Sequence, residues 1–287
     1  MTTKKIVKND LKKPFLLEEM NWKQIDDLPR DKTLFYIPIS PLEEHGPHLP
    51  VGTDFLTSRD AAKEAINHLH KKRPELTGIL FPVLPIGFTK MAACFPGTVS
   101  IHIKAIKTTI SDILSSLAEY GFQYFVICSF HMDLGHLKGI HMAIKKTQRR
   151  YNIKVTEPLS AYFFNKTVEK KEPEVGFDTK KEVHAGFRET SLMKYQYPYL
   201  VDKNHKDLQN IHCNLYSPRT LGKTFKDLGI NDGYVGSPAR ADSNYGRWYF
   251  QETVSAFATA GMDLVDGKPL PELPRETKLM MKSLFWR

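Results

Sequence analysis

Four apolar runs rich in β-branched and aromatic residues, TLFYIPIS (33–40), GILFPVLPIG (78–87), FQYFVICSF (122–130) and NIKVTEP (152–158), alternate with stretches of helical spacing. Runs this short and this apolar read as strands buried on both faces, because a half-exposed strand alternates polar with apolar residues. Between the first two, Ala61, Ala62, Ala65, Ile66 and Leu69 recur at helical intervals within 58–72. Between the second and third, Ile103, Ile106, Ile110, Ile113, Leu114 and Leu117 do the same, and the pattern stops at Gly121. A further helix is expected over about 137–149. Such alternation implies right-handed crossovers that build a parallel sheet covered by helices on both faces. The expected fold class is therefore α/β, a single-domain three-layer α/β/α arrangement with a mostly parallel sheet.

The second half is less regular. EVHAGFRETSLMKYQ (182–196) begins polar and turns helical, and DGYVGSPARADSNYGRWYF (232–250) is a Gly/Pro-rich loop entering a helix of about 248–265. No repeat, low-complexity tract or convincing linker divides the chain. We expect an N-terminal extension over 1–32, one domain over 33–265 and a C-terminal tail over 266–287.

Composition narrows the class. At 287 residues and 41% hydrophobic content the chain can bury a substantial core. There is no run of 18 apolar residues, and the basic start MTTKKIVKNDLKKPF has no apolar stretch behind it, so a soluble, cytoplasmic protein without a membrane partner is expected. Three widely spaced cysteines, Cys94, Cys128 and Cys213, argue against a disulfide framework and a CxxC zinc site. The net charge is +9, but its lysines and arginines are scattered among acidic residues, mostly at the ends and in KTVEKKEPEVGFDTKKE (166–182). Without a basic stripe or a recognised module, nucleic acid is not expected as a partner.

The first strand runs into SPLEEHGPHLPVGTDF (40–55). Pro41, Pro47 and Pro50 remove amide donors while Gly46 and Gly52 allow conformations other residues avoid, so this is a loop of specified path. It carries Glu43, His45 and Asp54; the loop after the third strand, HMDLGH, carries His131 and Asp133. In a parallel sheet both loops lie at the carboxyl edge, where ligands bind. Carboxylates and imidazoles without thiolate suit Zn²⁺, Mn²⁺ or Fe²⁺, and a bridging carboxylate would admit two ions. Each of these residues alone is equally at home as a turn former or hydrogen-bond partner. Two clusters at successive strand ends, followed by His184 and Glu189 in HAGFRETS, point instead to a site.

These motifs resemble the creatininase (creatinine amidohydrolase) family. ISPLEEHGPHLPVGTD is similar to its G-S-x-E-Q-H-G-P-H-L-P…T-D signature, GFTKMAACFPGTVSIH (87–102) to its G-x-S-x-x-H…F-P-G-T-x-S pattern, EVHAGFRETS to D-x-H-A-G-x-x-E-T-S, and GYVGSPARADSNYG (233–246) to G-x-x-G-x-P-x-x-A…G. The resemblance implies that Glu43, His45, Asp54, His131 and Glu189 ligate about two divalent ions per subunit, with Asp54 as the bridge. It also implies that His184 is the general acid/base. Asp133 stands where creatininase has a glutamate, and ligand, water-orienting group and neither remain open for it. Departures fall in the pocket: Thr89 replaces a serine, and Phe130 and Met132 flank His131, so these three are expected to meet the substrate. The implied activity is a metal-dependent hydrolysis of a cyclic amide or other small non-peptide C–N bond. Relatives that act as a nucleotide deformylase, a peptidase or a ring-opening hydrolase of a cyclic keto-inositol mark the alternatives, as does a non-catalytic binding protein, which should have lost ligands. A small-molecule substrate and a homohexamer are the partners the resemblance implies.

Overall fold

The computed structural model describes residues 15–165, 172–220 and 222–284. Its sheet has five parallel strands, β1 (Phe15–Leu16), β2 (Thr33–Pro38), β3 (Thr77–Leu80), β4 (Tyr124–Cys128) and β5 (Lys154–Thr156), in the order β1-β3-β2-β4-β5. The two central strands pair in register Phe35 with Phe125 and Ile37 with Ile127. Every residue of β2 is buried, which is why its sequence shows no polar alternation.

Successive side chains of β2 feed two cores. Leu34 and Tyr36 pack with Ala61, Ala65 and Ile66 of α2 (Thr53–Lys72) and with Val254, Phe257 and Ala258 of α7 (Ser243–Asp266). Phe35, Ile37 and Ile39 pack on the other face with Ile106, Ile110 and Leu114 of α3 (Ile103–Glu119) and Ile140, Ala143 and Ile144 of α4 (Leu134–Arg150). Each such buried aliphatic side chain contributes about 1.5–3 kcal/mol by leaving water. This is the three-layer α/β/α arrangement expected from the alternation.

Three helices start earlier than their sequence suggests: α7, expected from about 248, begins at Ser243 behind a cap by Asp242, and α2 and α4 do likewise. The first two turns of α2 hold Thr53, Asp54, Thr57 and Ser58, buried polar residues that interrupt the periodicity. Asp54 thus stands on a helix rather than on the preceding loop. Likewise α4 begins at Leu134, because the carboxylate of Asp133 caps it by accepting from the amides of Gly135 and His136.

The segments flanking 33–265 take part in the fold. Phe15 and Leu16 pair with Ile79 and Leu80 at the sheet edge, and α1 (Trp22–Asp26) is closed by a capping box between Asn21 and Gln24. After α5 (Pro158–Phe164) and α6 (Phe187–Gln196), the chain ends in α8 (Arg275–Ser283), whose Met281 packs with Leu273 against Leu134 and Leu137 of α4. Residues 1–14, 285–287 and the first part of the charged run, 166–171, lie outside the described residues. No helix among the described residues is long and apolar enough to cross a membrane.

Candidate metal centre

Beyond Pro38 the strand continues as bonds from the amide of Ile39 to Cys128 and of Ser40 to Leu84, and then β2 releases its loop. The loop folds back on itself: the Glu43 amide donates to the Val51 carbonyl at 2.9 Å, and Gly46 takes φ +68° where a Cβ would sit 3.0 Å from the His48 ring. Glu43 and His45 are thereby aimed at Asp54 on the first turn of α2. His131 arrives from the end of β4, and Glu189 from the first turn of α6.

Both imidazoles are oriented by backbone. His45 Nδ1 donates to the Glu43 carbonyl at 3.0 Å, which leaves Nε2 facing Asp54 Oδ1 at 3.3 Å and Glu189 Oε2 at 3.8 Å. His131 Nε2 donates to the Phe88 carbonyl at 3.0 Å, which leaves Nδ1 facing Asp54 Oδ2 at 2.9 Å and Glu43 Oε2 at 3.1 Å. Histidine ligands are commonly held this way, with the second ring nitrogen bonded to a carbonyl. Two potential ligand sets result, Glu43/Asp54/His131 and His45/Asp54/Glu189, and they share Asp54. A third grouping draws in His184 with Glu43 and His45.

Within the cluster the imidazoles and carboxylates favour one another's charged forms. Burial pushes the His45 imidazole down, but Asp54, Glu189 and Glu43 outweigh it and hold it at about 10. His131 is raised by Glu43 and Asp54 against the same burial. Burial works against the Glu43 charge too, yet His131 and His184 hold its carboxyl at about 2, and Asp54 lies well below the ordinary carboxylate range between the two imidazoles. So buried a set of anions, with His45 Nε2 and Glu43 Oε2 lacking any hydrogen bond, fits a divalent cation.

His184 sits beside this centre, its ring 4.4 Å from that of His45, with Nε2 donating to the Glu44 carbonyl at 2.9 Å. The next residue, Ala185, has φ +49°, a left-handed conformation costly for a residue with a Cβ, and its amide donates to Glu189 Oε2 at 2.5 Å. One strained residue therefore sets both His184 and Glu189.

The remaining expected site residues divide. Asp133 lines the cavity, but its Oδ1 is committed to the α4 cap, and it belongs to neither ligand set; burial raises it to about 6. Phe130 and Met132 line the cavity. Thr89 does not: it is buried beneath the wall, where its hydroxyl donates to Glu43 Oε1 and its amide to Ser100 Oγ. It orients a carboxylate rather than meeting a substrate.

Glu182 was missed by the sequence reading, although it opens the third motif. Its buried carboxylate accepts from the amides of Phe187 at 2.6 Å and Ser237 at 2.9 Å. The clamp fits because Gly186 and Gly236 lack side chains; a Cβ at either would fall 2.3 or 2.2 Å from Glu182 Oε2. The cavity above the centre encloses about 920 Å³.

The structure thus defines a parallel α/β protein that carries a carboxylate–imidazole cluster suited to divalent cations at the carboxyl edge of its sheet. The family described as Creatininase: Creatinine amidohydrolase matches residues 18–260, and the chain belongs to that family. A creatinine amidohydrolase from Pseudomonas putida is 27% identical over 209 residues, covering 67% of this chain and 75% of its own. Two solved structures share the fold. A creatininase in a Mn form has a TM-score of 0.68 at 23% identity, covering 86% of this chain and 97% of its own. A Zn-Zn form of a creatininase mutant has a TM-score of 0.65 at 20% identity, with the same coverage of each chain.

Proposed function

We propose that the protein is a two-metal hydrolase that cleaves a C–N bond in a cyclic amide or other small non-peptide substrate. The observation that carries this reading is the split of Asp54, whose Oδ1 faces His45 while its Oδ2 faces His131. Glu43, Asp54 and His131 would hold one divalent ion, and His45, Asp54 and Glu189 the other, Zn²⁺ and Mn²⁺ being the ions named for the related structures. Ions bound there supply Lewis acidity toward the substrate carbonyl and bring the pKa of water to about 7.

The chain's own groups supply the rest. His184, with Nε2–H anchored on the Glu44 carbonyl, takes and returns a proton at Nδ1 and so protonates the departing nitrogen. Thr89 fixes Glu43 through its hydroxyl, and Phe130 and Met132 shield the reacting bond from water. Asp133, whose Oδ1 is taken by the α4 cap, orients the attacking water through its other carboxylate oxygen.

Metal analysis of the purified full chain tests the reading. We expect about two divalent ions per subunit, and loss of both on Asp54→Asn. A single ion retained by that variant would refute a shared carboxylate. Creatinine, N-formyl amides and cyclic ketones assayed with Mn²⁺ or Zn²⁺ then separate the bond types. We also propose a homo-oligomer, a hexamer by family likeness, with Tyr195 and Tyr199 among the exposed apolar side chains that association would cover. Light scattering that returns the 32.9 kDa of one chain would refute it.

A further inference from the structure

The cavity above the centre sorts its charges by depth. None of its acidic residues is exposed: Glu43, Asp54 and Glu182 are buried, Asp133 and Glu189 half-buried, and each is engaged by an imidazole or by backbone amides. The exposed charges that line it have the opposite sign, on Lys90 and Lys223. Arg188 also faces the cavity, but it is spent on Glu172, Thr179 and Tyr245. Neither lysine side chain makes a hydrogen bond or ion pair among the described residues, although the exposed carboxylate of Asp227 lies near enough to Lys223 to feel its charge.

The segments that carry the two lysines are joined by backbone. The amide of Phe225 donates to the Met91 carbonyl at 2.9 Å, so the segment carrying Lys90 and the segment carrying Lys223 run side by side at the mouth. Both bring positive charge to the same wall, and no carboxylate that lines the cavity is exposed beside them. Much of the remaining wall is aromatic, from Phe88, Phe130, Tyr216, Phe225 and Tyr249. A neutral single ring would leave both lysines and most of about 920 Å³ unused.

We propose that the substrate carries an anionic group, a carboxylate or a phosphate, remote from the bond that reacts, and that Lys90 and Lys223 receive it at the cavity mouth. An aromatic or planar body spans the distance to the metal centre. The inference rests on the hydrolase reading only for where the reacting bond lies; recognition of the anion is independent of turnover.

Calorimetric titration of the full chain loaded with Mn²⁺ tests it with three probes of one shape: phenyl phosphate, phenylacetate and neutral benzyl alcohol. Two part-exposed charge pairs predict that at least one anionic probe binds about tenfold more tightly than the alcohol. That ratio should fall to near unity in Lys90→Ala/Lys223→Ala and invert in Lys90→Glu/Lys223→Glu, with melting temperature and metal content retained. Preference for phosphate or for carboxylate assigns the source of the anion, and either upholds the proposal. Equal affinity for charged and neutral probes overturns it. So does an anion preference that survives both double substitutions, since the anion would then sit on the metal ions. Failure of every amide to turn over would count against the hydrolase reading and leave these affinities standing.

Discussion

Replacing Glu182 should separate the work of its charge from that of its shape. One oxygen, Oε2, accepts both from Phe187 at 2.6 Å and from Ser237 at 2.9 Å, and thus ties the segment holding His184 and Glu189 to the loop entering α7. Glu182→Gln keeps a carbonyl oxygen in that position but turns two charge-assisted bonds into neutral ones, a loss of about 1–3 kcal/mol. Glu182→Ala instead leaves two buried amides unsatisfied, at about 1–3 kcal/mol each, and opens a cavity as well. The ordering alanine worse than glutamine, by about 1–3 kcal/mol, is the expected result. Urea unfolding of metal-free protein reads it directly. Metal affinity should fall in the same order, because the clamp holds the turn that aims Glu189. Equal destabilisation by both variants, or less than about 1 kcal/mol for alanine, would refute a bridging carboxylate.

Three other outcomes are expected. His184→Gln should keep fold and metal content while lowering kcat by about 10²–10⁴, the range of general acid–base catalysis; a destabilised variant with undiminished turnover would remove His184 from the chemistry. Gly246→Ala should cost about 1–3 kcal/mol, because its Cβ would fall 1.9 Å from the Ser191 carbonyl and force α7 away from α6; an unchanged melting temperature would refute that packing. In metal-free protein the centre is most stabilising between about pH 4.5 and 6.5: Glu43, lowered from 4.5 to about 2, loses its contribution as pH falls, and His45, raised from 6.5 to about 10, loses its contribution as pH rises. Apo melting temperatures that climb steadily to pH 10 would contradict this.

The parallel sheet was legible because β2, β4 and α3 write their burial into uninterrupted apolar runs or a clean helical stripe. Where a first turn serves the site, that code fails. The start of α2 carries Thr53 and Asp54, and the start of α4 is a cap by Asp133, so polar residues stand where periodicity needs apolar ones. Strand β1 is two residues long and pairs only at an edge, too short to show any period. Helix α8 follows a proline-rich stretch, and its two buried residues make little pattern. Within the site, Glu43, His45, Asp54, His131 and Glu189 were named from their motifs, and the structure brings all five together. Thr89 was misplaced because spacing reveals which loop a residue belongs to, not which side of the loop it faces. Glu182 was overlooked because a carboxylate that binds only amides has no partner visible as a side chain.

The carbonyls of Glu43 and Phe88 differ from side-chain anchors in what a mutation can reach. A histidine oriented by a carboxylate can be re-tuned by one codon, since the carboxylate can become an amide or vanish. Here the proton on each ring is assigned by main-chain oxygen, which every amino acid supplies alike. Point substitution can remove an imidazole, but it cannot easily turn the inward nitrogen into a donor. The orientation of both rings thus follows from the path of the chain, whereas the side chains of the cavity wall, such as Phe130 and Met132, can change without disturbing it.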